Sequence, residues 1–271
     1  MKRHKKRLRL IHDFSEVQGI LSDRDWQMAG PVEKMLGPLL GEGVIMATGD
    51  RHRDLRRQLG QMPTPDLAAI VDAFEPPTGP CDLGEQMTTL AERVIGSLFG
   101  DRDALIGAGQ LVRKCVALAP FRLLGLPLDW WWLRKLNRLL ASLPELPWAQ
   151  GESAAARRDW AANFVVAGID TLSADLTAQL VGEKMLPIWW LPRKNVDTGE
   201  LVILLLSDQH KYGHGFRRCA GEHVAREMVR LVLQKWRFEL APDESDLRPV
   251  GLITQRLAKV VGVMTKKDGG P

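Results

Sequence analysis

The run Tyr212-Gly213-His214-Gly215-Phe216-Arg217-Arg218-Cys219-Ala220-Gly221 decides how the rest of the chain is read. Its glycines permit a tight loop, because glycine alone enters positive-φ backbone regions without steric cost. Downstream, Val224, Met228, Leu231 and Val232 recur at helical spacing, which predicts a helix from the loop to about residue 236. Cys219 therefore arrives just before a helix start. There a thiolate meets free backbone N–H groups and the positive end of the helix dipole, and both stabilise negative sulfur. Such an environment suits an anionic metal ligand. The ordinary alternative is a small buried cysteine beside a glycine turn. Another is a zinc site from His210, His214, Cys219 and His223, whose residue types are right but whose spacing follows no standard signature.

The whole chain has 271 residues, 45% hydrophobic and 26% charged, so it can build a core and cover it, which excludes wholesale disorder. One domain spanning 1–271 accommodates that length. Net charge is +4, and much of the excess lies in Lys2, Arg3, His4, Lys5, Lys6, Arg7 and Arg9. This run is a basic tail over 1–9, of the kind usually solvated rather than bound to nucleic acid or anionic lipid. No apolar stretch reaches the roughly 18 residues needed to cross a bilayer, and no signal-peptide core follows the basic start. The expectation is a cytoplasmic protein with no transmembrane segment. Cys81, Cys115 and Cys219 are odd in number and far apart, which fits neither a disulfide framework nor a paired CxxC site. Nine tryptophans stand against one tyrosine, clustered at 130–132 and 189–190. Such clusters can line an apolar pocket or rest on a membrane surface, although packing in a core or interface is their ordinary role.

Helical periodicity dominates. It predicts helices near 14–21, 50–59, 67–74, 83–98, 104–119, 129–143 and 153–180. Glycines and prolines between 30 and 43 are expected to break any long helix there. Residues 200–206, after the turn signal Asp197-Thr198-Gly199, predict a strand, with weaker extended segments near 7–11 and 257–263. The fold class is mainly α with minor β.

The aromatic, glycine, arginine, cysteine and glycine of the 212–221 run are similar to the haem-binding loop of the cytochrome P-450 family, with Tyr212 where that loop has phenylalanine. The resemblance implies haem b (iron protoporphyrin IX), Cys219 as the proximal thiolate, Arg217 on a propionate, and Gly215 and Gly221 allowing close approach to the macrocycle. Two other segments resemble the family in the same order. His52 and Arg56, four apart on one helical face, are similar to its propionate-binding pair. Val166-Ala167-Gly168-Ile169-Asp170-Thr171 resembles the distal helix over the haem. Ala167 and Gly168 would there leave room for dioxygen and let the helix open locally, with Thr171 and Asp170 relaying protons. Arg193 stands where a further propionate-binding arginine is often found.

The chain resembles a shortened member. Most of the family's usual stretch between 180 and 212 is lacking, and no Glu-x-x-Arg occurs between Ser173 and Tyr212. Glu227 and Arg230 have that spacing but follow Cys219, so a surface pair suits them better. The resemblance implies a haem-thiolate monooxygenase or peroxygenase acting on a small apolar organic substrate, with electrons from a ferredoxin or flavoprotein reductase. The alternative is a non-catalytic haem- or ligand-binding protein of the same ancestry.

Overall fold

The structure, a computed structural model, describes residues 8–28, 30–144, 146 and 152–267. The basic run up to Arg7 lies outside the described residues. Helices begin where short polar side chains supply a missing acceptor. Asp13 accepts from Glu16 N–H at the start of α1 (Phe14–Ser22), and Asp66 from Ala69 N–H at the start of α4 (Leu67–Asp72). Asp82 does the same for α5 (Leu83–Ser97), and Ser153 for α8 (Ala154–Ala162). The charged helix is α3 (Gly49–Leu59), and the helix after the cysteine loop is α10 (Glu222–Lys235).

Two helical expectations need correction and a third gains detail. Residues 30–43 do contain a helix, α2 (Pro31–Leu40), despite Gly37 and Pro38 inside it. Proline at its first position costs no hydrogen bond, and Met35, Leu39 and Leu40 bury against the core strongly enough to override the breakers. The helix expected at 104–119 is only α6 (Ala108–Leu118), because Gly107 takes φ +86° and stops its extension toward the N-terminus. After α7 (Trp130–Ser142), the helix expected at 153–180 changes winding along its length. It passes from α8 into a π-helical segment, Asn163–Ile169, and then into α9 (Asp170–Leu180).

The main core surrounds α5, whose Leu83, Met87, Leu90 and Val94 are at most 1% exposed. Each such burial contributes about 1.5–3 kcal/mol, so this face outweighs the cost of enclosing Glu92 on the same helix. The Glu92 carboxylate accepts from Gly109 N–H (2.7 Å) and thereby caps α6. Burial pushes the Glu92 carboxyl up, and that hydrogen bond opposes the shift.

The β structure frames one flank. Its four-stranded sheet runs β1 (Arg9–Ile11), β5 (Leu201–Leu205), β4 (Trp190–Asn195), β2 (Trp26–Met28). Arg9 pairs with Val202 in parallel, Leu204 with Leu191 antiparallel, and Arg193 with Met28 antiparallel. The side chain of Asn195 accepts from Asp197 and Thr198 N–H and holds the predicted turn before β5. Ile11, Val17, Ile20, Leu21, Trp26, Val202 and Leu204 form a second, smaller core that packs α1 on this sheet. A three-stranded sheet joins β3 (Cys81–Asp82), β9 (Val261–Lys266) and β6 (Trp236–Leu240), and a hairpin joins β7 (Asp246–Val250) to β8 (Arg256–Lys259). Strands β2, β3, β4, β6 and β7 went unanticipated; β6 does alternate apolar and polar residues, Trp236 to Leu240, but follows α10 without a break, and the others show no clean alternation.

The tryptophans divide. Trp160 is buried in the core and Trp132 packs against it, but Trp130 and Trp131 are 57% and 48% exposed, so core packing does not account for those two.

Candidate cofactor site

The cysteine loop is closed by a hydrogen bond from Cys219 N–H to the Tyr212 carbonyl, 2.7 Å. Gly213 and Gly215 supply the turns at φ +74° and +56°. A Cβ on Gly215 would lie 3.2 Å from Ser22 Cα, so the tight approach it permits is to α1. Gln18 Nε2 meets His214 Nδ1 at 3.2 Å, and Arg217 donates to the Trp26 carbonyl at 3.1 Å. The loop is thus seated on α1 and β2 before α10 begins. A Cβ on Gly221 would stand 3.9 Å from Cys219 Sγ, and Gly221 leaves the space beside the sulfur open. The residue Cys219 keeps exposed surface, yet desolvation of its sulfur is the largest influence and raises the thiol pKa. The Gly221 and Glu222 N–H groups and the Arg56 charge pull it down, as a cysteine ahead of a helix requires.

Beside this loop a cavity of about 330 Å³ is lined by Gly49, Asp50, His52, Arg53 and Arg56 from α3, Phe216 and Arg217 from the loop, and Arg24; Asp50, its one acid, pairs with Arg53, and Arg193 is not part of the lining. The α3 face therefore meets the cysteine loop, with the His52 and Phe216 rings edge to face at 5.7 Å. Burial, then the Arg217 and Arg56 charges, lower the His52 pKa to about 4. Arg193 is only 4% exposed, and its guanidinium reaches no more than Met28 Sδ at 3.0 Å and the Pro192 carbonyl at 3.3 Å. Burial and the neighbouring Arg217 charge lower its pKa to about 9. The Nε atoms of both Arg193 and Arg217 are buried without a hydrogen-bond partner. Among the described residues no carboxylate forms an ion pair with Arg56, Arg193 or Arg217. An uncompensated buried charge costs several kcal/mol, so this cluster is shaped for an anion the chain does not supply.

The distal-helix residues sit apart from the lining of that cavity. Ala167 and Gly168 fall within the π-helical segment, where one extra residue per turn widens the helix. Gly168 faces α5, since a Cβ there would lie 2.7 Å from Ile95 Cδ1. The Thr171 hydroxyl donates to the Ala167 carbonyl across that widened turn. Asp170 is 2% exposed, and burial pushes its carboxyl up, opposed by Thr254 and then by Arg256 and Arg113. Its nearest cation, Arg256, is 3.9 Å away.

Sequence reasoning missed the partner of Lys211 and Tyr212. Both bind Asp175 of α9, Lys211 through an ion pair and the Tyr212 phenol at 3.2 Å. Asp175 follows Thr171 by one helical turn, but no local signal reveals its pairing with residues 36 and 37 positions later. Arg53 was legible on the His52 and Arg56 helix, whereas Arg24, in a turn, carried no signal. Among the described residues no three His, Cys, Asp or Glu side chains gather as a metal site. The zinc alternative is not assembled: His210 Nδ1 faces Ser207 and His214 Nδ1 faces Gln18.

No model of a known protein family matches the sequence, and no curated protein matches it. Solved structures do. A six-coordinated cytochrome P450 from Thermus thermophilus superposes with TM-score 0.74 at 17% identity, over 94% of this chain and 92% of the other. The chain has the cytochrome P450 fold. CYP175A1, from another strain of the same species, gives TM-score 0.74 at 18% identity over 94% and 88% of the two chains. P450BioI, in complex with an acyl carrier protein ligated to hexadec-9Z-enoic acid, gives 0.68 at 14% over 94% and 92%. On this P450 fold the mainly α architecture with minor β is as expected, and no helix among the described residues is long and apolar enough to cross a membrane. Arg56, Arg193 and Arg217, which pair with no carboxylate among the described residues, and the open space beside Cys219 fit a propionate-bearing haem with a sulfur ligand.

Proposed function

We propose that the chain binds haem b with Cys219 as axial thiolate and acts as a monooxygenase or peroxygenase on a small apolar organic substrate. Electrons would come from a ferredoxin or flavoprotein reductase, or oxidising equivalents from hydrogen peroxide. The observation that carries this reading is that buried Arg193 and half-buried Arg217 each keep an Nε without a hydrogen-bond partner and, among the described residues, pair with no carboxylate, while Arg217 lines a cavity with His52 and Arg56 beside the Cys219 loop. In this role those four side chains hold the propionates, and Gly215 and Gly221 let the loop lie close. Thiolate-ligated haem, when bound, supplies dioxygen activation, since sulfur pushes electron density toward O–O cleavage. Asp170, whose carboxyl is pushed up by burial, is the proton-holding group of this reading. Thr171 then passes the proton on by exchanging its bond to the Ala167 carbonyl. The acyl chain in the P450BioI complex supports an apolar substrate class.

A second reading, a non-catalytic haem- or ligand-binding protein, is favoured by one feature. Without a Glu-x-x-Arg helix, the cysteine loop is braced directly to α9 through Asp175. The two readings differ in product formation, not in haem uptake.

The test is the absorption spectrum of haem-supplied protein, reduced and exposed to carbon monoxide. Wild type is expected to show a strongly red-shifted Soret band, Cys219→Ala to lose it, and Arg193→Met to keep it at weaker haem affinity. Absent haem uptake, or a spectrum indifferent to Cys219→Ala, would refute the reading.

A further inference from the structure

We infer that Asp175 is a positioning residue for the Cys219 sulfur, acting through Tyr212 to hold that sulfur in the axial position. The inference rests on the haem ligation that the catalytic and the non-catalytic readings share. Tyr212 is the chain's single tyrosine, against nine tryptophans and seven phenylalanines. It stands where a hydroxyl can reach an acid enclosed in α9: Asp175 is 3% exposed, between buried Ala174 and Leu176. A carboxylate enclosed this far is stable only when paired. Lys211 takes Asp175 Oδ1, and the Tyr212 phenol donates to Oδ2 at 3.2 Å.

Tyr212 is also where the loop closes. The Cys219 N–H donates to the Tyr212 carbonyl at 2.7 Å, so a displacement of Tyr212 carries the sulfur-bearing residue with it. The Tyr212 ring is held from a second side. The guanidinium carbon of Arg226 lies 4.9 Å from the ring centre, and Arg226 pairs with Glu222, the first residue of α10. Tyr212 therefore joins three parts of the fold: α9 through its phenol, α10 through its ring and Cys219 through its carbonyl.

The other anchors of the loop act elsewhere. Ser22 meets Gly215, Gln18 meets His214, and the Trp26 carbonyl receives Arg217, so α1 and β2 hold the stretch from 214 to 217. Asp175 holds the residue to which Cys219 itself is fastened. Its two bonds lie largely out of solvent, where a hydrogen bond and an ion pair are stronger than in water. Groups that orient a metal ligand from behind in this way typically contribute 10–100-fold to affinity. The tyrosine at 212 and the missing Glu-x-x-Arg are on this account one adaptation: the phenol gives α9 a grip on the loop that phenylalanine could not give.

The experiment is haem titration of the full chain, followed by reduction and carbon monoxide, reading both haem affinity and the share of Soret absorbance in the strongly red-shifted band. Tyr212→Phe, which restores the family's usual residue and keeps the ring, is expected to lower affinity about 10-fold, and Asp175→Ala about 100-fold. Both should lose part of the red-shifted band as the sulfur leaves the axial position. Leu136→Ala is the control for general destabilisation, since Leu136 is a fully buried residue of α7 outside the loop and its cavity. It should melt lower than wild type and keep the wild-type band share. Tyr212→Phe remains informative if Asp175→Ala does not fold. A Tyr212→Phe protein that binds haem with the wild-type band share would overturn the inference and leave the haem reading standing. An equal loss of that band in Leu136→Ala would reduce Asp175 to a stabiliser of the fold. Absence of haem uptake by wild type would remove the haem reading and this role together.

Discussion

The phenol of Tyr212 donates a hydrogen bond to Asp175 across 3.2 Å, tying the cysteine loop to α9 at the one aromatic position where the haem-loop pattern is broken. Asp175 also carries the Lys211 ion pair, with side chains only 4% and 16% exposed. The two links differ in kind. Tyr212→Phe removes one neutral donor and is expected to cost about 1 kcal/mol. Asp175→Ala leaves the Lys211 charge enclosed and is expected to cost about 3–5 kcal/mol. Urea unfolding of the three proteins measures both, and equal costs would show that the ion pair does not brace the loop.

Gly168→Ala should destabilise the protein. Within a helix this exchange ordinarily gains about 1 kcal/mol. Here the new Cβ would lie 2.7 Å from Ile95 Cδ1, and overpacking of a filled core costs about 1–3 kcal/mol. Ile95→Val removes that methyl group, so the double variant should be more stable than the sum of the single changes allows, by about 0.5 kcal/mol or more. A Gly168→Ala protein that melts higher than wild type would contradict the packing assigned to this turn.

His52 makes stability fall in acid. Its folded-state pKa is lowered to about 4, while the unfolded chain has the ordinary value near 6.5. Between those values the unfolded state holds a proton that the folded state does not, so unfolding becomes easier as pH drops from about 6.5 to about 4. The loss is on the order of 3 kcal/mol and levels off below the folded pKa. His52→Gln should flatten this window in denaturation curves taken across it. An anion bound between Arg56 and Arg217 should also shallow the slope, by offsetting the charges that help to keep His52 neutral.

Spacing placed several of the residues locally, while their grouping into one site came from the family resemblance. His52 and Arg56 stand four apart on a helix, and Cys219 precedes an amphipathic one, so local geometry placed them before any contact was known. The opening of the helix around Ala167 and Gly168 was also legible in their small side chains. Helix α2 was not, because Gly37 and Pro38 argue against it locally while burial of Met35 and Leu39 argues for it at long range. Strand β4 was hidden for a similar reason: Trp190–Asn195 mixes tryptophan, proline and cations, and becomes a strand by pairing with β2 and β5.

Periodicity, capping side chains and turn-forming glycines determined the helical class, the cysteine at a helix start and the basic pair on α3, since each depends on neighbours within a few residues. Only the folded chain decided that Asp175 receives Lys211 and Tyr212, that Gly168 turns toward Ile95, that neighbouring Arg193 and Arg217 pair with no carboxylate among the described residues, and that Trp130 and Trp131 face solvent. Those outcomes depend on which distant surfaces exclude water together, and that is a property of packing rather than of local spacing.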